Sequence, residues 1–473
     1  MKKYFLLIAI ILNGCASKKA ISPDDVINIP TPTSWELNIS NSIQQENWWY
    51  EFNDPILNKF LDEFLDNNIN LEKAMLNTRK VKQGAVIATG SLFPTISVGS
   101  SGSESEQNTA GFPPMFSTLF GQSSDEVSVF TQENFNLSLS TQWEIDLWGK
   151  LRQGRIASKQ QYLSTKYYED YLKLSLTAEA TKLYFSIIEA EKILVNSAQK
   201  LANAETLFSL YALRYNKGSI SIEAYQQSEI LFNATKSDFQ NKQLVLNTLK
   251  REAKFLIKNY PNKNFEHEKN FPTLIPSLPD IVPADIIKRR PDLIAQQYNL
   301  LSSKALNKQA LLSLLPSFSL TGSLGSSSND LKDLNNEDFS VWSKGLSVFL
   351  PVFNSGKLIA NKKIANTNKE IAMLDFINAL LNAYKEVENA IESDKISSDA
   401  LLVASTNATL AENIYITTFE KFNRGATSFE DAINANNALH NSLDLKATIE
   451  KVRLEQRINL ILALGGGFKY KND

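Results

Sequence analysis

"FNLSLSTQWEIDLWGK", Phe135 to Lys150, decides how the rest of the chain is read. Its odd positions run Phe135, Leu137, Leu139, Thr141, Trp143, Ile145 and Leu147; its even positions run Asn136, Ser138, Ser140, Gln142, Glu144 and Asp146. A two-residue alternation of this kind is a β-strand with one apolar face. Four segments carry it, near Pro94 to Ser103, Asn134 to Trp148, Pro316 to Ser326 and Phe339 to Val352. In the third, Phe318, Leu320 and Leu324 oppose Ser317, Ser319, Thr321 and Ser323. The competing reading, a soluble β-sandwich, fits badly with so many serines behind the apolar side chains. Thirteen strand residues at about 3.4 Å span roughly 44 Å, which a tilt near 45° reduces to about 31 Å, the thickness of a hydrocarbon core. The sequence therefore predicts apolar faces turned to lipid and polar faces turned to water, with Trp143 and Trp148 in an aromatic girdle.

The N-terminal segment agrees with a membrane destination. "MKKYFLLIAIILNGCAS" has two lysines and an apolar run from Tyr4 to Leu12, followed by Cys15, the only cysteine. It reads as a secretory signal peptide, too short to span a bilayer. The segment resembles a lipobox, with Cys15 carrying lipid; an ordinary signal peptide followed by a chance cysteine is the competing reading. Ala16 in place of Asp implies, for such lipoproteins, sorting to the outer membrane. Beyond Cys15 no window offers the 18 or so apolar residues of a spanning helix, so a bilayer crossing requires β-structure in a closed barrel. Lys plus Arg (49) nearly balance Asp plus Glu (51), and no basic run with interleaved aromatics marks a nucleic-acid footprint.

The chain repeats itself. "LFPTISVGS" from Leu92 returns as "LLPSFSLTG" from Leu314, 222 residues on; "GKL" at Gly149 returns at Gly356, 207 residues on; "YNKG" ending at Gly218 returns as "FNRG" ending at Gly425. Each copy orders a helix, two strands, a very long helix, a Gly-marked turn and another helix. No Gly or Pro interrupts 155–217 or 357–424, which allows helices of roughly 95 to 100 Å. Residues 183, 187, 190, 194, 197, 201, 204, 208, 211 and 215 have the three-four spacing of a coiled-coil seam, with large and small side chains alternating. The expected organisation is a lipoprotein signal peptide (1–14), a lipid-anchored N-terminal extension (15–55), a first structural repeat (56–259), a Pro-rich linker (260–283), a second repeat (284–464) and a C-terminal tail (465–473).

Four strands cannot close a barrel, since the smallest outer-membrane barrels have about eight. Copies of the chain must complete the wall, most simply as a cyclic ring. The fold class expected is thus mainly α with a transmembrane β-barrel, internally duplicated. In "NWWYEFNDPILN", "WEIDLWGKLR", "RRPDL" (Arg289 to Leu293), "LLPSFSLTGSLG", "LPVFNSGKL" and "ALGGGF", the chain resembles the TolC-like outer-membrane efflux factors, and specifically their lipoprotein branch. The resemblance covers nearly the whole mature chain. It implies a homotrimer with a 12-stranded barrel, continued by a periplasmic α-helical barrel, and partners consisting of a periplasmic adaptor protein and an inner-membrane pump.

The resemblance also places the periplasmic tip, where the pore narrows, at the turns marked by Gly218 and Gly425. Asp431, with Glu430 beside it, matches an acidic position six residues past the second tip glycine, and three copies would form a ring of negative charge. Asn434 stands where a second acidic ring is common. Glu223 is offered at the first tip, Phe422 matches an aromatic that helps close the tip, and Arg424 is placed to tie neighbouring helices; each is also what a solvated or packed helix end carries. No enzymatic constellation emerges, since His267 and His440 are the only histidines and no zinc-ligand spacing exists. No cofactor is expected apart from covalent lipid on Cys15. The function expected is the passive exit duct of a tripartite efflux system for drugs or other toxic compounds. Alternatives are the outer-membrane channel of a type I secretion system and a lipid-anchored coiled-coil scaffold with no pore.

Overall fold

The computed structural model describes residues 34–35, 47–108, 129–273, 275, 283 and 286–466. Cys15 and the signal segment lie outside them. Among the described residues, six helices and four strands make two copies of one plan. Helix α1 (Pro55–Asn67) precedes the first copy, formed by α2 (Ile69–Gly90), β1 (Thr95–Asn108), β2 (Val129–Ile145), α3 (Lys150–Asn216) and α4 (Ile222–Leu256). The second copy is α5 (Pro291–Leu312), β3 (Ser317–Ser328), β4 (Ser340–Phe349), α6 (Lys357–Asn423) and α7 (Phe429–Ala463). Corresponding helices have identical lengths, 22, 67 and 35 residues. At 1.5 Å per residue the 67-residue helices are about 100 Å long.

The core sits where the long helices meet the chain's flanking segments. Helix α1 turns Leu57, Phe60, Leu61 and Phe64 inward at helical spacing, and Asp54 caps it by accepting from the Ile56 and Leu57 amides at 3.0 and 2.9 Å. The second Asp54 oxygen accepts the Tyr184 hydroxyl of α3 at 2.8 Å, which pins α1 to the long helix. Burial first, and then the nearby Asp54 carboxylate, raise the Tyr184 pKa, so this donor keeps its proton. Trp48, Trp49 and Phe52 complete the cluster with Phe185, Ile187 and Ile188. Each such side chain contributes about 1.5–3 kcal/mol through burial, which explains the aromatic "NWWYEF" run.

The "RRPDL" motif is a second fastening. Arg290 is buried and donates to Asp292 Oδ2 and Glu386 Oε2, both at 2.7 Å, and to the Ala463 carbonyl at 3.4 Å. One guanidinium thus joins the start of α5, the middle of α6 and the end of α7. Burial alone would lower its pKa; the hydrogen bonds and charges of Asp292 and Glu386 outweigh that and raise it.

The strands form one antiparallel sheet in the order β1-β2-β3-β4. β2 stops at Ile145 rather than continuing to Trp148. The reason is local: Asp146 accepts from the Leu151 and Arg152 amides at 2.9 and 2.8 Å and starts α3, with Gly149 at φ +85° making the turn. β4 likewise stops at Phe349, two residues before Pro351, which has no amide hydrogen for a ladder.

Candidate functional site

Cross-strand register sorts the side chains of this sheet into two chemically different faces. Directly paired residues share a face. One face carries Ile96 and Val98 of β1, Leu137, Leu139, Trp143 and Ile145 of β2, Phe318, Leu320 and Leu324 of β3, and Trp342, Leu346 and Val348 of β4. The other carries Ser97, Ser138, Ser140, Gln142, Ser319, Thr321, Ser323, Ser343 and Ser347. Hydroxyls on that polar face hydrogen-bond across strands, Ser97 with Ser140 and Ser323 with Ser343, each at 2.8 Å.

Among the described residues no α-helix makes more than marginal contact with the strands, and only the short turns at 331–335 and 337–339 touch them. Val98 is 73% exposed and Trp342 69%. Among the described residues no strand pairs with the outer edge of β1 or of β4. A bare apolar face and two open edges are unfavourable in water, and open edges are also unfavourable in lipid. Trp143 and Trp148 both stand at the helical end of the sheet, their indole N–H groups donating to the carbonyls of Leu92 (3.0 Å) and Pro316 (2.8 Å).

At the far ends of the helices, each hairpin turns in the same way. Gly218 and Gly425 have φ of +69° and +71°, and the following amides, Ser219 and Ala426, donate back to the carbonyls of Arg214 and Lys421 at 2.9 and 2.8 Å. This is the Schellman closure, whose left-handed position suits glycine. The structure assigns different duties to the two neighbouring acids. Glu430 accepts from the Tyr211 hydroxyl at 2.5 Å and from Arg214 at 3.4 Å, so it clasps the second hairpin to the first. Asp431 instead closes a capping box on its own helix, accepting from Ser428 and Thr427 while Ser428 Oγ accepts the Asp431 amide at 3.0 Å.

The Ser428 and Thr427 hydrogen bonds hold the Asp431 carboxyl below the usual carboxylate range. A depressed folded-state pKa stabilises above the unfolded value and is lost as pH falls through the folded one. Asp431→Ala should therefore fray the first turn of α7, and hydrogen exchange at 429–432 should quicken. The same fraying should appear in the unmodified protein only when pH drops below the carboxylate range; protection unchanged in the variant would contradict the assignment.

Other tip residues keep local company. Phe422 packs against Phe419 and Phe429, with ring centres 6.3 and 5.3 Å away. Arg424 is largely exposed and pairs at 3.7 Å with Glu420 of its own helix. Glu223 is exposed, and a hydrogen bond with Ser221 keeps its carboxyl low. The sequence marks Tyr211 only as a seam position and does not mark Arg214, because their partner Glu430 lies more than 200 positions away.

A further pattern emerges along the α3/α7 contact. Glu189, Asn196, Asn203 and Tyr211 face Lys451, Asp444, Asn437 and Glu430 in turn, at 3.0, 2.8, 3.1 and 2.5 Å. Polar pairs recurring about every seventh residue set one antiparallel register for the two hairpins at some expense in stability. Among the described residues no helix is long and apolar enough to cross a membrane, and no group of three or more His, Cys, Asp or Glu is placed to hold a metal ion.

Comparison with known proteins fits this architecture. The cation efflux system protein CusC of Escherichia coli O6:H1 is 24% identical over 477 residues, covering 98% of each chain. The pyoverdine export outer membrane protein OpmQ of Pseudomonas putida is 22% identical over 484 residues, covering 99% of this chain and 98% of its own. The Campylobacter jejuni CmeC outer membrane channel superposes with a TM-score of 0.82 at 26% identity, covering 93% of this chain and 92% of that one. The sequence model of the outer membrane efflux protein family matches residues 60–249 and 282–466, and the chain belongs to that family.

Proposed function

We propose that this chain is one third of the wall of an outer-membrane exit duct in a tripartite efflux system. The observation that carries the proposal is the uncovered four-stranded sheet, sorted into an apolar and a hydroxyl-lined face and open at both edges. Three copies supply twelve strands, enough for a barrel with a water-filled lumen. The apolar faces meet lipid, the serines line the passage, and Trp143 and Trp148 sit in the lipid-water boundary. The paired 67-residue helices continue the passage through the periplasm to the tips at Gly218 and Gly425, where the exposed Asp431 carboxylates form an acidic ring. Passage is passive, and energy comes from an inner-membrane pump joined through a periplasmic adaptor. The names of relatives include cation and pyoverdine export, which accords with a duct that conducts what its pump selects; small toxic compounds are the cargo class proposed here.

Purified from outer membranes in detergent, the protein should run as an oligomer and conduct ions in a planar bilayer. A monomer without conductance would favour the poreless scaffold instead. Labelled palmitate should enter the wild-type chain and be absent from Cys15→Ser; equal labelling would remove the lipid anchor from this picture.

A further inference from the structure

The apolar face holds a charge that one chain does not account for. Lys344 of β4 lies on that face, level with Gly322 and Thr141 and so in the middle of the apolar band. Its ammonium is 5.6 Å from the centre of the Trp342 ring. A lysine facing lipid at mid-depth is disfavoured by about 2–4 kcal/mol. On the same face of β1, Glu104 stands directly opposite Glu133 of β2. Like charges in direct register repel, and among the described residues no cation pairs with either. Among the described strand residues of this face, the lone cation is on one open edge of the sheet. The unrelieved acids begin at the other.

The repetition within the sheet states where these edges meet. Thr95 pairs with Gln142, and Ser317, 222 residues after Thr95, pairs with Phe349, 207 residues after Gln142. Those are the two offsets at which the sequence repeats, so the β1/β2 and β3/β4 hairpins share one register. Within a chain the hairpins join through β2 and β3, where Leu137 pairs with Ser326. Between copies the equivalent junction is β4 against β1. The position 207 after Leu137 is Lys344, and the position 222 before Ser326 is Glu104.

We propose that Lys344 forms a cross-strand ion pair with Glu104 of the neighbouring copy on the lipid side of the seam, with Glu133 of that copy one strand further on. This rests on the proposed wall of copies and specifies its register. The same register sets Leu346 against Gly102, Val348 against Ser100 and Leu350 against Val98. On the lumen side it sets Ser343 against Ser105 and Ser347 against Ser101, repeating the hydroxyl pairs already present within the chain. One contact would thus neutralise the cation, relieve the acid pair and pin the strands against slippage.

The test is disulfide trapping in outer membranes containing the full-length lipoprotein. K344C combined with E104C, and S343C combined with S105C, should give oxidant-dependent dimers and trimers on non-reducing gels. K344C with Gly102→Cys or with Glu106→Cys should give roughly a tenth as much or less, because residues two places along a facing strand lie about 7–8 Å off, outside disulfide reach. Charge exchange provides a second readout. K344E and E104K should each lower the temperature at which the oligomer dissociates in SDS, and the double exchange should restore it. Preferential trapping at position 102 or 106, in a protein that still conducts as an oligomer, overturns the register and leaves the duct standing. A non-conducting monomer with no trapping at any position overturns both.

Discussion

Releasing Glu430 from Tyr211 and Arg214, as in the Tyr211→Phe, Glu430→Gln double variant, should raise conductance through the assembled duct by at least tenfold. The clasp joins the two hairpins at the end proposed above as the periplasmic tip. A hydrogen bond to a carboxylate is worth about 1.5–3 kcal/mol when protected. Glu430 and Arg214 are 38% and 43% exposed, which reduces the figure to about 1 kcal/mol per copy. In the proposed trimer, three clasps parting together give about 3 kcal/mol, on the order of 100-fold in the open fraction. The hydrogen bond to Glu430 is the main cause that raises the Tyr211 pKa, with burial second. A raised folded-state pKa means that the clasp is fully present at neutral pH and is lost only as pH rises through the folded value. Single-channel recording of the variant beside the wild type decides the matter. Identical conductance and identical susceptibility of cells to large antibiotics would show that the clasp does not gate.

Arg290→Met should damage assembly severely, lowering stability by about 3 kcal/mol per copy. Removing one partner of a buried ion pair typically costs about 3–5 kcal/mol, because the other is left uncompensated. Here Asp292 and Glu386 retain some solvent, with side chains 23% and 51% exposed, which places the loss at the lower end. Arg290→Lys should recover only part, since an ammonium cannot fork to two carboxylates while also reaching the Ala463 carbonyl. The readout is the yield of SDS-resistant oligomer and its dissociation temperature. An Arg290→Met protein that assembles and melts like wild type would mean that the apolar contacts of Leu293, Leu380 and Leu460 hold this junction without the arginine.

Much of this follows from periodicity, which is a local property. Alternation at 135–145 specifies a strand with one apolar face whatever its neighbours are, and uninterrupted 3.5-residue spacing specifies a long helix. Two copies of one pattern, with only four such strands, are also legible in the sequence, and the proposal of a wall completed by sister molecules starts from them. Strand ends were less legible, because Asp146 and Pro351 act through individual hydrogen bonds made or missing. What only the tertiary structure decided is who faces whom. Glu430 and Asp431 are adjacent and alike in sequence, yet one clasps the other hairpin and the other caps its own helix. Arg290 is, in the sequence, one letter of "RRPDL" with no role of its own, and in the structure it joins three helices. The physical reason is the same in each case: a hydrogen bond between residues tens or hundreds of positions apart depends on the rotation and register of packed helices, and no local pattern encodes either.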